Sequence, residues 1–438
     1  MQKTFRNISL SLLISLAATP VYALDFLESY QLAVEHDPDI LAAQYDYQST
    51  LQTRLQSRSS LLPNIDLDIF GSRTKQDGRS LTTTVSGDYD TTGYSLSLSQ
   101  SIYNHGLHLQ LEQTDLTIAA AATNYSAQQQ ALIVRVAEAY FNVLSAEDTL
   151  AFAKAEKNAI GEQLEQTRQR FEVGLIAITD VKESQAQYDL SVAAEIQAQN
   201  QVYTDRETLR TIIGSYPKKL DQLDSELPLL LPEPADIDKW VTTSKENNLA
   251  LKSAQYAYEI AQTQIGIDRS GHYPSLDLNL SHGDSSTDID TFTIDTVDTR
   301  LTLNLNVPIY SGGLTSAKTR QAVAQKERAR SLQVRELRNT VKSARDSYLG
   351  ISASIAQVKA FKQALVSTQT AYEASQAGYE VGTRTAVEVL SVLREQFRAE
   401  RDYARSRYDY ILNILRLKQA AGILSEDDVV QINQWLIN

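Results

Sequence analysis

Four stretches of the chain alternate apolar and polar residues with a period of two. In 94–102 (YSLSLSQSI), Leu96, Leu98 and Ile102 alternate with Ser95, Ser97, Ser99 and Ser101, and Ile65, Leu67 and Ile69 alternate with Asp66 and Asp68. Leu276, Leu278 and Leu280 alternate with Asp277, Asn279 and Ser281, and Leu301, Leu303, Leu305 and Val307 with Thr302, Asn304 and Asn306. Successive side chains of a strand point to opposite faces, so the pattern predicts strands over about 64–75, 94–103, 275–284 and 299–310, each with one apolar face. The intervening segments 76–93 and 284–298 are rich in Thr, Ser, Asp and Gly and are expected to be loops. A half-buried sheet in a soluble domain gives this alternation, and so does a lipid-embedded barrel, whose strands run apolar-out and polar-in over about ten residues. In lipid an open sheet edge has no water to satisfy it, and a spanning barrel needs about eight or more strands. Four strands cannot close, so a barrel made by this chain requires other copies of it.

Elsewhere the periodicity is helical. Runs from about Asn104 to Phe171 and from about Gly313 to Tyr379 predict helices on the order of 100 Å long at ~1.5 Å per residue, far beyond a compact domain. Val341, Ala344, Tyr348, Ile351, Ile355, Val358 and Leu365 keep the alternating three-four spacing of a coiled-coil seam. Further helices are expected over 24–62 and 235–273, before the strands, and after each long helix as far as Gly214 and Gly422. Pro63 and Pro274 stand where helix gives way to strand. The elements recur because the chain repeats itself. RFEVGLIAITDV (170–181) matches GYEVGTRTAVEVL (378–390), and the pairs Gly174/Gly382, Tyr140/Tyr348 and Gly214/Gly422 are each 208 positions apart. AAQYDY (42–47) matches SAQYAY (253–258) at a spacing of 211. The first repeat spans 24–215 and the second 241–424; 216–240, with Pro217, Pro228, Pro232 and Pro234, is the linker, and 425–438 is a C-terminal segment.

Composition narrows the function. Residues 1–23 read as a secretory signal, with Lys3 and Arg6 ahead of the apolar run ISLSLLISLAA and Val21-Tyr22-Ala23 as a cleavage site, so the mature chain is expected to begin near Leu24. Beyond that leader no stretch approaches the ~18–20 apolar residues of a spanning helix. The chain has no cysteine, hence no disulfide framework and no lipid-modified N-terminal cysteine. A net charge of −13 without any basic run argues against a nucleic-acid partner. His105 and His108 are three apart, but without cysteine or a fitting third ligand they read as the solvated start of a long helix rather than a metal pair. Trp240 and Trp435 read as packing residues near the linker and the C-terminus. No cofactor motif and no catalytic constellation is present, and no enzyme is expected.

The stretches LLPNIDL, AEAYFNVLSAEDTL, QTRQRFEVGLIAITDVKESQAQYD, SLDLNL, VPIYSGG and GYEVGTRTAVEVL through NILRLKQAAG resemble the TolC family of outer-membrane channel proteins, in order and over essentially the whole mature chain. The resemblance implies a mainly α fold with a membrane β-barrel: a homotrimer in which four strands per chain build a twelve-stranded barrel in outer-membrane lipid and the helices form a hollow α-barrel across the periplasm. The linker and the C-terminal segment are then equatorial. It implies a passive exit duct of a tripartite efflux pump or type I secretion system, engaged at its helical end by a periplasmic adaptor protein and an inner-membrane transporter. A structural periplasmic coiled-coil scaffold without transport is the rival; it accounts for the heptads but not for the leader or the amphipathic strands.

The repeated EVG turns carry two readings. Gly174 and Gly382 suit left-handed caps that end long helices, and Thr385-x-x-Glu388 is a capping box for the next helix. Capping accounts for the second copy. In the first copy Ala177 replaces Thr385, yet an acid persists at Asp180, the counterpart of Glu388. The resemblance implies that these turns are the periplasmic tips and that they close the entrance, with Thr179, Asp180, Tyr379, Arg384 and Glu388 as the gate. Tyr379 and Arg384 would tie to Thr179 and Asp180 across a helix interface, and Glu388 would ring the axis. Val173, Gly174, Leu175, Val381, Gly382 and Thr383 would dock the adaptor. The family pattern has a second acid one turn beyond 388; Ser391 stands there, so a single, weaker anionic ring is expected.

Overall fold

Two helices set the dimensions of the protomer. In the computed structural model, which describes residues 24–79, 84–289 and 292–437, α3 (His105–Glu172) has 68 residues and α7 (Leu314–Glu380) has 67, about 100 Å each at ~1.5 Å per residue. The leader expected over 1–23 lies outside the described residues. Each long helix turns into a 36-residue partner, α3 into α4 (Ile178–Ile213) and α7 into α8 (Ala386–Ala421). α4 and α8 end on Gly214 and Gly422, at φ +75° and +73°. Ala344, Ile351, Ile355 and Val358 of the predicted seam are buried, and Val341, Tyr348 and Leu365 half-buried, on a helix packed between α6 (Leu249–Arg269) and α8.

The helices expected over 24–62 and 235–273 are each two. α1 (Phe26–His36) and α2 (Pro38–Ser59) divide at Asp37; α5 (Ile237–Asn247) and α6 divide at Asn248, 211 positions later. Asp37 ends one helix and caps the next, accepting from the backbone N–H of Asp39 and of Ile40 at 2.9 Å, with Pro38 at the first helical position, where its missing N–H costs nothing. Asn248 does the same by accepting from the Leu251 N–H at 2.9 Å. The glycines that end α4 and α8 fit against these breaks: a side chain at 214 would press on His36, and one at 422 would collide with the backbone of Asn247.

The strands are β1 (Asn64–Arg79), β2 (Thr84–Tyr103), β4 (Ser275–Ile289) and β5 (Phe292–Asn306), antiparallel in the order β1-β2-β4-β5. They run well into 76–93 and 284–298, which composition alone assigns to loops. Each hairpin continues its ladder, Thr74 opposite Tyr89 and Asp284 opposite Val297, and a paired backbone satisfies its polar groups whatever the side chains are. At the other end β5 stops at Asn306 rather than 310, because Pro308 has no N–H to give a ladder. Ile65, Leu67, Ile69, Leu301, Leu303 and Leu305 are all exposed on the single protomer. β1 and β5 each keep one edge with no strand partner among the described residues.

The largest core lies midway along the long helices. Phe26, Tyr140, Phe141 and Tyr408 pack ring on ring, with centroids 5.6–5.8 Å apart. The fully buried Tyr140 hydroxyl lies 3.1 Å from the Leu24 carbonyl and 3.0 Å from that of Asp221. The proline-rich linker and the C-terminal segment wrap this level: β3 (Gln222–Leu223) pairs with β6 (Leu436–Ile437), α9 (Glu426–Asn433) precedes β6, and Tyr410 Oη holds the backbone of Leu230. Trp240 donates through its indole to the Pro234 carbonyl at 2.8 Å, and Trp435 packs on the same core. His105 is the first residue of α3, 5.3 Å ring to ring from Tyr273; the capping side chain is that of Asn104.

Candidate functional site at the helical tips

The repeated turns are nearly superimposable in backbone terms. Val173 and Val381 sit at φ −91° and −87°, and Gly174 and Gly382 both at φ +78°, where a side chain is strained and glycine is not. The N–H of Leu175 reaches back to the Arg170 carbonyl at 2.9 Å and that of Thr383 to the Gly378 carbonyl at 2.8 Å, satisfying the last carbonyls of α3 and α7. The turns then expose apolar side chains with nothing to cover them: Val173 is 71% exposed, Leu175 72% and Val381 75%.

Beyond the turns the copies diverge. Thr385 caps α8, accepting from the Glu388 N–H at 3.3 Å, while a Glu388 carboxylate oxygen accepts from the Thr385 N–H at 2.8 Å. Arg384 Nη1 donates to the other Glu388 oxygen at 3.2 Å. The Thr385 backbone hydrogen bond first, then its hydroxyl and the Arg384 charge, hold the Glu388 carboxyl below the ordinary glutamate range. α4 begins at Ala177 with no side-chain cap, so Asp180 is free of the task that occupies Glu388.

Asp180, Tyr379 and Arg384 line one cavity of about 520 Å³, together with Arg170, Leu175, Ile176 and Glu380. Thr179 is exposed and outside that lining. Among the described residues neither Tyr379 nor Arg384 forms, within the protomer, the expected hydrogen bonds to Thr179 and Asp180. Arg384 is held one turn along its own helix by Glu388. Tyr379, only 3% exposed, has a buried hydroxyl with no partner among the described residues and a ring that lies against Arg170, whose guanidinium carbon is 4.1 Å from the ring centroid. Arg170 Nη1 also donates to the Tyr379 carbonyl at 3.0 Å. Arg170 is absent from the residues expected from sequence. The signal for it was the repeat itself, which sets Arg170 opposite Gly378, 208 positions on. Ser391 is exposed one turn beyond Glu388, and no carboxylate takes its place there.

The sequence profile of the outer membrane efflux protein family matches residues 29–215 and again 240–423. Outer membrane protein TolC of Vibrio cholerae serotype O1 is 37% identical over 423 residues, covering 96% of this chain and 95% of that protein. The protein of the same name from Escherichia coli K12 is 34% identical, covering 94% and 85%, and the alkaline protease secretion protein AprF of Pseudomonas aeruginosa is 28% identical, covering 93% and 86%. The Campylobacter jejuni CmeC outer membrane channel shares the fold at a TM-score of 0.78 and 17% identity, over 94% of this chain and 90% of that one. The chain belongs to the outer membrane efflux protein family, and it is an outer-membrane channel of the kind that serves efflux or type I secretion.

Proposed function

We propose that three copies of the chain form one passive exit duct, with their twelve strands closed into a barrel in the outer membrane and their long helices closed into a tunnel across the periplasm. One observation carries this reading: a four-stranded sheet with an apolar outer row ends in two unpartnered edges, β1 and β5. In lipid those edges are tolerable only when β5 of one copy pairs with β1 of the next, and cyclic symmetry then closes the ring. The repeats 24–215 and 241–424 act as half-units of the protomer, with 216–240 and 425–438 as its equatorial belt. A periplasmic adaptor and an inner-membrane transporter engage the tips through Val173, Gly174, Leu175, Val381, Gly382 and Thr383. Their exposure, in a chain that buries apolar side chains of that size elsewhere, supports this assignment. Mass measurement of the detergent-extracted protein is the test: a trimer is expected, and a stable monomer overturns the reading.

The gate belongs to the same proposal. Thr179 and Asp180 of the first repeat meet Tyr379 and Arg384 of the second as the ring assembles, and three Glu388 carboxylates surround the axis. The shared cavity of Asp180, Tyr379 and Arg384 and the unpartnered Tyr379 hydroxyl support this. Each polar contact contributes about 0.5–1.5 kcal/mol, up to ~3 with a charged partner, and symmetry repeats it. Tyr379→Phe combined with Arg384→Ser is expected to shift the closed–open balance by several kcal/mol on that scale and to raise single-channel conductance in planar bilayers markedly. Wild-type conductance in the double variant sinks the gate while leaving the duct.

A further inference from the structure

Arg170 joins the two tips through non-equivalent positions. Repeat symmetry pairs Arg170 with Gly378 and Phe171 with Tyr379. Phe171 is exposed, whereas Tyr379 is buried under the Arg170 guanidinium. The same side chain donates to the carbonyl of Tyr379, on the last turn of α7. Helix C-termini carry partial negative charge from their unsatisfied carbonyls. Two of them meet at the tips, and α7 has no basic residue in its last turn, while α3 has Arg170. One cation therefore serves both helix ends.

The glycine opposite is part of the arrangement. A Cβ at Gly378 would lie 2.8 Å from Arg384 Cγ, and the Gly378 carbonyl accepts from the backbone N–H groups of Thr383 and Arg384 at 2.8 and 3.2 Å. Arginine in one copy and glycine in the other thus let Arg170 reach across to α7 while Arg384 folds back over 378. Two arginines at these equivalent positions would set like charges together and leave Arg384 no space.

We propose that Arg170 is a positioning residue of the channel entrance, a latch that binds the tip of the first repeat to that of the second by carrying the ring and the last-turn carbonyl of Tyr379. This rests on the reading of the tips as the entrance. Opening separates the two hairpins, and the Arg170–Tyr379 contact is what the separation must break. A planar guanidinium can lie on a ring and donate to a carbonyl at once, whereas an ammonium is a compact point charge on a flexible stem.

The test is single-channel recording of the full-length protein in planar bilayers, with assembly scored by the oligomer recovered in detergent. Arg170→Ala is expected to raise the frequency of large-conductance openings by roughly tenfold or more, the factor that follows from removing one charge-assisted hydrogen bond, with the oligomer intact. Arg170→Lys falls between it and wild type. Tyr379→Leu, which removes the ring but keeps the carbonyl, opens the channel less than Arg170→Ala does, the two together open it no further than Arg170→Ala alone, and Tyr379→Phe, which keeps the ring, opens it less than Tyr379→Leu. If Arg170→Ala gates like wild type while Arg384→Ser opens the channel, the gate stands and the latch falls. If both are silent, both readings fall. Additive effects of Arg170→Ala and Tyr379→Leu, or equal opening by Tyr379→Phe and Tyr379→Leu, also overturn the latch, because Arg170 and the ring would then not act as a pair.

Discussion

At the scale of single residues, one carboxylate carries two readings. Glu388 completes the capping box of α8 and accepts from Arg384, and in the threefold ring proposed above it would also present charge to the axis. Capping alone predicts that Glu388→Ala lowers thermal stability and leaves cation block untouched. With both roles, the substitution lowers stability and also relieves block by multivalent cations from the periplasmic side, without opening the gate; recordings with and without such cations, beside melting curves, check both. The pH dependence has a definite sign. The Glu388 carboxyl is held below its ordinary value by the Thr385 N–H first, so the native state binds fewer protons than the unfolded chain. Its contribution is complete above the ordinary glutamate range and lost as pH falls through the lowered native value. The capping box was legible in sequence because it is a local spacing, and so was the divergence of Ala177. The Arg170–Tyr379 contact was not, since the repeat sets Arg170 opposite Gly378, and residues 209 apart meet only through the packing of α3 and α4 on α8.

At the scale of elements, the existence and length of the two long helices were legible, and so was the position of the turns that end them, because periodicity over tens of residues is a strong signal. Two kinds of boundary were missed, for opposite reasons. The breaks at Asp37 and Asn248 interrupt apolar patterns that continue on both sides; Pro38 marks the first, but Asn248 has no proline and declares itself only through its bond to the Leu251 N–H. The strands outran their apolar alternation because the ladder, not the side chains, sustains them beyond it. The turns were legible because the required conformation is costly for any residue but glycine. Gly382→Pro tests what they are for. Proline fixes φ near −65° against the observed +78°, and it removes the N–H that reaches the Tyr379 carbonyl at 3.2 Å. The damage is confined to a turn whose Cβ direction is empty space, so oligomers should still reach the outer membrane while export is abolished, as scored by retention of an exported substrate. Normal export in Gly382→Pro, and equally in Gly174→Pro, would count against docking at the tips.

At the scale of the whole molecule, the protomer is an incomplete object, and both its incompleteness and its remedy can be read from one strand. β5 exposes every residue in the single chain, Leu301, Leu303 and Leu305 on one face and Thr302 and Asn304 on the other. A soluble sheet would have buried one of those faces against its own helices. Here the helices pack on one another, and no helix among the described residues is long and apolar enough to cross a membrane. In a closed barrel the leucine face meets lipid and the threonine–asparagine face meets the lumen, and the two faces should answer a charge differently. Leu303, 63% exposed in the protomer, is the middle one of the three leucines on that face, near the end of β5, and an arginine facing lipid costs up to about 2–4 kcal/mol at the bilayer midplane and less towards the interfaces. Repeated three times around a ring, that cost exceeds what a marginally stable assembly can absorb. Leu303→Arg is therefore expected to reduce the oligomer recovered from the outer-membrane fraction sharply. Thr302→Arg, one residue away and facing water in the lumen, should assemble normally and alter only ion selectivity in planar bilayers. If the two variants assemble equally well, β5 does not face lipid, and the barrel assignment fails even though the helical tunnel could stand.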